Sequence, residues 1–173
     1  MMSKSLSRVA LVTAVGATLL PLLSGAASYS NGSRSANFDV SLKIIADCTI
    51  AANALDFGQS QGVLATAVNV NTTLNITCTN TTPYNVGLNA GTGTGSSVAS
   101  RVMSGTGANT STVSFTLSQS AGGANWGNTQ GTDTVSGTGS GTVQNLTVFG
   151  SIPAQATPQP DTYKSTIQAT VYF

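Results

Sequence analysis

The stretch ANFDVSLKIIADC, residues 36–48, has the pattern of a strand whose partner has to be found. Every second residue from position 38 to position 44 is apolar: Phe38, Val40, Leu42 and Ile44. That spacing is the two-residue period of a β-strand with one buried face. The stretch ends at Cys48, the first of two cysteines. Alternation alone does not say whether the apolar face packs on the chain's own sheet or on another molecule.

Residues 1–27 have the three-part design of a secretory signal peptide, with a basic start, an apolar run and small residues at the end. The apolar run is shorter than the roughly 20 residues that a membrane span needs, and Pro21 lies near its end. We therefore predict export through the periplasm, with cleavage near Ala26 or Ala27.

The chain that follows carries few charges. Outside residues 1–27 it has four Lys or Arg residues against five Asp residues. Four dispersed cations do not form the basic patch that nucleic-acid binding requires, so no nucleic acid is predicted as a partner. His and Glu are absent from the sequence, which removes the usual general bases. The sequence predicts neither an enzyme nor a cofactor.

Cys48 and Cys78 are predicted to form a disulfide, because export delivers the chain to an oxidising compartment. Closing a loop of about 30 residues stabilises a fold by roughly 3 to 4 kcal/mol on the chain-entropy model. A metal site is the weaker alternative, since no histidine is present to join the two sulfurs.

Apolar alternation returns in five later segments: TLNITC (73–78), YNVGL (84–88), TVSFTL (112–117), LTVFGSI (146–152) and STIQATVYF (165–173). No convincing helical segment lies between them. Short strands separated by turn-rich loops indicate an antiparallel β-sandwich. Three aromatic residues are predicted to pack in its core: Phe57, Tyr84 and Trp126.

Three glycine-rich stretches separate the apolar segments: GTGTGSS, SGTGANTS and VSGTGSGT. None of them matches a complete phosphate-binding pattern that opens a helix. We predict that they are hairpin connections.

Eight short motifs follow one another along the chain: CTI (48–50), LDFG (55–58), LNITCT (74–79), YNVGL (84–88), RVM (101–103), WG (126–127), VFGSIP (148–153) and TVYF (170–173). In this order they resemble the spore coat protein U domain, which is also the pilin domain of Csu-type, or archaic, chaperone–usher pili. The resemblance covers residues 48–173 as the domain, preceded by an N-terminal extension, residues 28–47.

The resemblance implies an incomplete immunoglobulin-like antiparallel β-sandwich that a donor strand completes. It implies a structural pilus subunit that polymerises by donor-strand exchange and supports adhesion or biofilm formation in a cell-surface fimbrium. Its partners would be neighbouring pilin subunits, a periplasmic chaperone and an outer-membrane usher. The donor strand would present Phe38, Val40, Leu42 and Ile44. A C-terminal strand held by the chaperone and bordering the groove would present Ile167, Ala169, Val171 and Phe173.

Three alternatives remain at this stage. In the first alternative, residues 38–44, or the part from Ile44 onward, belong to the first strand of the chain's own sandwich. The protein is a self-complete secreted coat protein of a spore or cell surface. The third alternative is a small carbohydrate-binding β-sandwich.

Overall fold

The computed structural model describes residues 31–59 and 62–173, so the predicted signal peptide lies outside the described residues. The described chain contains β-strands and no helix. In chain order the strands are β1 (Cys48–Ala52), β2 (Val68–Cys78), β3 (Pro83–Leu88), β4 (Arg101–Gly105), β5 (Thr112–Ser118), β6 (Val135–Thr138), β7 (Gln144–Ile152), β8 (Tyr163–Lys164) and β9 (Ala169–Tyr172). The described part of the chain therefore offers no helix long and apolar enough to cross a membrane.

The strands form two sheets in which every pair of neighbours is antiparallel. One sheet has six strands in the order β1-β2-β7-β5-β4-β8, and the other has three in the order β6-β3-β9. The predicted all-β antiparallel class is confirmed. The two sheets enclose one apolar core built from the inward faces of β2, β3, β5 and β7.

The five alternating segments each contribute to a strand on the face that the pattern predicts. In β7, for example, Val148 and Ile152 are buried while Phe149 lies on the opposite face. Residues 31–47 contain no strand, even though residues 38–44 alternate as cleanly as any segment. Alternation produces a strand only where a neighbouring strand supplies hydrogen bonds, and no strand pairs with this stretch in the described residues.

The predicted core aromatics pack as expected. Trp126 and Tyr84 are almost fully buried, and the Trp126 Nε1 group donates a hydrogen bond of 2.7 Å to the Val86 carbonyl. Phe57 is half-buried and packs edge-on against Phe115, with 6.3 Å between ring centroids. All three aromatic residues are therefore structural.

Arg101 is fully buried, which the sequence does not reveal. Its guanidinium donates to four backbone carbonyls: Leu88 (2.9 Å), Asn89 (2.9 Å), Val98 (3.2 Å) and Trp126 (2.6 Å). Burial lowers the pKa of Arg101, and the nearby Asp133 carboxylate partly offsets this effect. Because Leu88 ends β3 and Arg101 begins β4, this side chain ties the two sheets together.

The disulfide between Cys48 and Cys78 is present, as the sequence predicts. The two residues are direct partners in the β1–β2 ladder. The disulfide therefore fixes the start of β1 to the end of β2 at the edge of the six-stranded sheet.

Only one of the three glycine-rich stretches is a hairpin connection. SGTGANTS joins the neighbouring strands β4 and β5. The stretch GTGTGSS leads from β3 to β4, and VSGTGSGT contains β6 and leads to β7, so both cross from one sheet to the other. The hairpin prediction is wrong for these two, because loop composition does not encode which sheet the next strand joins.

Candidate functional site: the seam between β1 and β9

Two sheet edges meet without pairing at β1 and β9, and we call the space between these strands the seam. β1 is the last strand of the six-stranded sheet, and β9 is the last strand of the three-stranded sheet. Their Cα atoms approach within 8 Å. Among the described residues no backbone ladder joins them.

The register shows which backbone groups of β9 face the seam. The Asn89 N–H donates to the Gln168 carbonyl at 3.1 Å, in line with the β3–β9 ladder that pairs Gly87 with Thr170. In an antiparallel ladder, alternate residues direct their backbone groups to the neighbouring strand. Ala169 and Val171 lie between those positions. Their N–H and C=O groups therefore point away from β3 and toward the seam.

The same argument applies to β1. The Asn53 N–H donates to the Thr73 carbonyl at 3.1 Å, and the Thr79 N–H donates to the Asp47 carbonyl at 2.9 Å. These bonds place the odd-numbered residues of β1 in the ladder with β2. Ile50 therefore directs its N–H and C=O groups toward the seam, as does Ala52.

The apolar face of each sheet continues to the seam and ends there without cover. Ile50 is the cross-strand partner of Ile76, and Val171 is the partner of Val86. Ile76 and Val86 are fully buried, whereas Ile50 and Val171 are only half-buried although they share the same faces. The seam thus combines unpaired backbone groups with partly covered apolar side chains. An added β-strand would satisfy both.

The predicted C-terminal residues take different positions relative to β9. Ala169 and Val171 lie in the strand and pack against the core. Ile167 precedes the strand and also packs against the core. Phe173 follows the strand and is 58% exposed. The sequence does not single out Ile50 and Ala52 on the opposite side of the seam, and their only signal is the short alternation after Cys48.

The predicted donor residues are all strongly exposed. The exposed fractions of their side chains are 85% for Phe38, 84% for Val40, 86% for Leu42 and 76% for Ile44. Large apolar side chains are seldom left this exposed in a row on a soluble protein, and contiguous apolar exposure marks interaction surfaces. This stretch is therefore available to a partner.

Three of the five aspartates stabilise local loop structure. Asp56 accepts a hydrogen bond of 2.8 Å from the Gly58 N–H, and Asp133 accepts one of 2.7 Å from the Thr129 N–H. Asp161 accepts one of 3.0 Å from the Gly107 N–H. Within residues 31–59 and 62–173, no three His, Cys, Asp or Glu residues come together as metal ligands.

A solved structure shares this fold. The crystal structure of the chaperone–tip adhesion subunit pre-assembly complex from the archaic chaperone–usher Csu pili of Acinetobacter baumannii aligns with a TM-score of 0.57 and 23% identity. The alignment covers 75% of this chain and 40% of that chain, so this chain spans less than half of that length. The minor tip subunit of the E. coli Hda pilus aligns with a TM-score of 0.38 and 18% identity, over 72% of this chain and 79% of that one.

The sequence comparisons identify the family. No curated protein is similar enough to count as a relative. The family model of the Spore Coat Protein U domain matches residues 34–170, which is most of the chain. The chain therefore belongs to the Spore Coat Protein U domain family.

Proposed function

We propose that this protein is a structural subunit of a chaperone–usher pilus. Its seam accepts a β-strand from a neighbouring subunit, and its own residues 38–44 fill the seam of another. One observation carries the proposal: the buried face ends uncovered on both sheets at the same seam, where the neighbouring backbone groups are also unpaired. Family membership and the fold shared with the Csu pilus complex support it.

The donor segment can supply the apolar side chains and the backbone hydrogen bonds that would complete the seam. Its four apolar side chains lie on one face of an extended chain, and Asp39, Ser41 and Lys43 fall on the other. Burying all four would contribute on the order of 6 to 12 kcal/mol before the cost of ordering the segment is subtracted. Ladder bonds to the free edges of β1 and β9 would each add about 1 kcal/mol.

Insertion of the donor requires the seam to widen. Neighbouring strands lie about 4.8 Å apart, so a strand between β1 and β9 would separate them by roughly twice that distance. At their closest points the two strands now lie within 8 Å. A chaperone that holds the seam open before assembly would lower this barrier.

The proposal gives each part of the chain a role. Residues 1–27 direct export, residues 28–47 form the extension with the donor strand, and residues 48–173 form the pilin domain. A periplasmic chaperone would first lend a strand to the seam, and an outer-membrane usher would then exchange it for the donor segment of another subunit. The product is a cell-surface fimbrium that supports adhesion or biofilm formation, and none of these steps needs a catalytic residue.

The test is a pair of six-residue deletions in the extension. Removing residues 37–42 takes away three of the donor's apolar side chains and should abolish fibre assembly while the subunit still binds its chaperone. Removing residues 31–36, which contain no large apolar side chain, should leave assembly intact. Electron microscopy of fibres and co-purification with the chaperone give the two readouts. Normal fibres from the 37–42 deletion would show that the donor assignment is wrong.

A self-complete coat protein of a cell or spore surface is the second candidate. The close approach of β1 and β9 favours it, because a narrow seam exposes less apolar surface. Expression in the periplasm without a chaperone distinguishes the two. The pilin should aggregate or be degraded, whereas a coat protein should accumulate as a soluble, thermally stable monomer.

A further inference from the structure

The outer face of the six-stranded sheet carries no charge on three of its four interior strands, β2, β7 and β5. We define this outer face by the side chains of β2, β5 and β7 that point away from the core. They are Asn69, Asn71, Thr73, Asn75 and Thr77 on β2, Ser114, Thr116 and Ser118 on β5, and Asn145, Thr147, Phe149 and Ser151 on β7. Protein surfaces usually carry charge on about a quarter to a third of their residues. A face made almost entirely of amides and hydroxyls offers no charged side chain to attract an ionic partner.

A cleft of about 210 Å³ lies on this face, and we call it the outer cleft. Its floor includes Asn69, Thr116, Phe149 and Ser151, and residues 121–123 together with Asn125, all in the β5–β6 connection, form one wall. The ladder places Ser151 directly between Asn69 and Thr116. Phe149 lies in the next row and is the only aromatic side chain of the outer face.

Three polar side chains of the outer cleft have no hydrogen-bond partner among the described residues. Those of Asn69, Thr116 and Ser151 make no hydrogen bond to any described residue, although the side chains of Ser118 and Asn125 do. Asn125 uses its Nδ2 group to donate to the Ala99 carbonyl at 3.0 Å, which leaves its Oδ1 oxygen as an acceptor. The outer cleft thus offers amide and hydroxyl groups that can both donate and accept.

We infer that the outer cleft binds one unit of a neutral saccharide. Sugar hydroxyls both donate and accept hydrogen bonds, so they match Asn69, Thr116 and Ser151. The half-buried Phe149 ring supplies an apolar surface for the C–H groups of a sugar ring, as in ligand sites that combine a few polar groups with aromatic contact. Phosphorylated or acidic sugars are disfavoured because no cation lies on β2, β5 or β7.

The site is separate from the seam. β1 and β9 border the seam, whereas the outer cleft lies on β2, β5 and β7. Saccharide binding therefore does not depend on donor-strand exchange. If the proposed function holds, each subunit of a fibre would repeat the cleft, and weak single-site binding would add up across a polysaccharide.

The test uses the full secreted chain with residues 36–46 appended after Phe173 through a flexible linker, so that it stays soluble without a chaperone. Its binding to immobilised neutral and acidic glycans is measured, followed by titration with the best soluble oligosaccharide. Phe149→Ala and Asn69→Ala should each weaken binding about tenfold or more. Thr147→Ala and Asn145→Ala are matched controls on the same face outside the cleft, and both should bind as the unsubstituted chain does. Asn69 is exposed, so its variant keeps the test valid if loss of Phe149 disturbs folding.

Four outcomes would overturn the inference. The first is that no glycan binds the unsubstituted chain, and the second is that acidic glycans bind more tightly than neutral ones. The third is neutral-glycan binding that survives both cleft substitutions. If the chain instead associates with itself and Phe149→Ala abolishes that association, the face is an interface between copies and the saccharide site is rejected.

Discussion

The two edge strands of the six-stranded sheet, β8 and β1, differ in how well they are protected against pairing with another chain. At one end β8 is only two residues long, carries Lys164 and follows Pro158 and Pro160. Short strands, edge lysines and prolines all discourage pairing with another chain. At the other end β1, like β9 across the seam, contains neither proline nor charge. The contrast teaches that the two edges of this sheet are not equally protected, and the proposed function assigns strand addition to the unprotected one.

The hydrogen bonds that link the two sheets also differ between the β4 side and the seam. On the side of β4, Arg101 joins the sheets through hydrogen bonds to four carbonyls. At the seam, the described residues place no hydrogen bond between β1 and β9. We call the β8 end, together with the Arg101 link, the closed side. The closed side links the two sheets by hydrogen bonds, and the proposed function requires the seam, which has no such link among the described residues, to widen.

The largest effect is expected from breaking the closed side. Arg101→Ala leaves four carbonyls without their donor and creates a cavity, so it should lower the free energy of unfolding by about 3 to 5 kcal/mol. Arg101→Lys should recover only part of that loss, because an ammonium group cannot reproduce the planar guanidinium fork. Urea unfolding of a self-complemented chain, with residues 36–46 appended after Phe173 through a flexible linker, gives the measurement. A loss of unfolding free energy below about 1 kcal/mol would show that Arg101 is not needed to hold the two sheets together.

The seam itself is tested by two isoleucines that are cross-strand partners. Ile76→Ala should lower the free energy of unfolding by about 2 to 5 kcal/mol whether or not a donor strand fills the seam, because Ile76 is already fully buried. Ile50→Ala should cost less than about 1 kcal/mol in the open chain and clearly more in the self-complemented chain, where the donor covers Ile50. Urea unfolding of both forms provides the comparison. Equal costs of Ile50→Ala in the two forms would contradict coverage of β1 by the donor.

The donor is tested by neighbouring residues with opposite faces. Leu42→Ala should weaken the contact between subunits by about 1.5 to 3 kcal/mol, because an apolar side chain no longer enters the seam. Lys43→Ala, one position later, should change it by less than about 0.5 kcal/mol. Dissociation of assembled fibres in denaturant reports both values. If the two substitutions have equal effects, the prediction that Leu42 enters the seam while Lys43 points away from it is wrong.

The smallest effect on stability is expected at the protected edge. Lys164→Val should leave the free energy of unfolding within about 0.5 kcal/mol, since Lys164 is exposed and lies in a two-residue strand. It should nevertheless speed aggregation of the self-complemented chain, because it removes the charge from the edge. Light scattering during incubation measures the rate. An unchanged rate would mean that the length of β8 alone protects this edge.

The sequence predicts those parts of the fold that local periodicity encodes. The inward faces of β5 and β7 follow from alternation, and export together with two cysteines predicts the disulfide. β4 escapes prediction because Arg101 occupies an inward position where the pattern expects an apolar residue. β8 is too short to show any period. Arg101 itself resembles a surface cation in the sequence, since its four acceptors are backbone carbonyls that leave no sequence signal.

The sequence predicts only some of the residues that form the seam. The alternation of residues 38–44 and of the C-terminal segment marks apolar faces, and the family resemblance supplies the idea that they meet in different subunits. The sequence does not predict that β1 lies close to β9, because these strands are far apart in the chain and come together only when the two sheets stack. Nor does alternation say which backbone groups remain unpaired, since that depends on register.

Amide hydrogen exchange in assembled fibres tests the central claim most directly. Val171 directs its N–H into the seam. Tyr163 directs its N–H away from β4 at the protected edge, because the hydrogen bond from the Thr106 N–H to the Thr162 carbonyl places alternate residues in that ladder. If a donor strand fills the seam, the Val171 amide should be strongly protected while the Tyr163 amide exchanges rapidly. Equally rapid exchange of both amides would show that no strand pairs with β9 and would contradict the account.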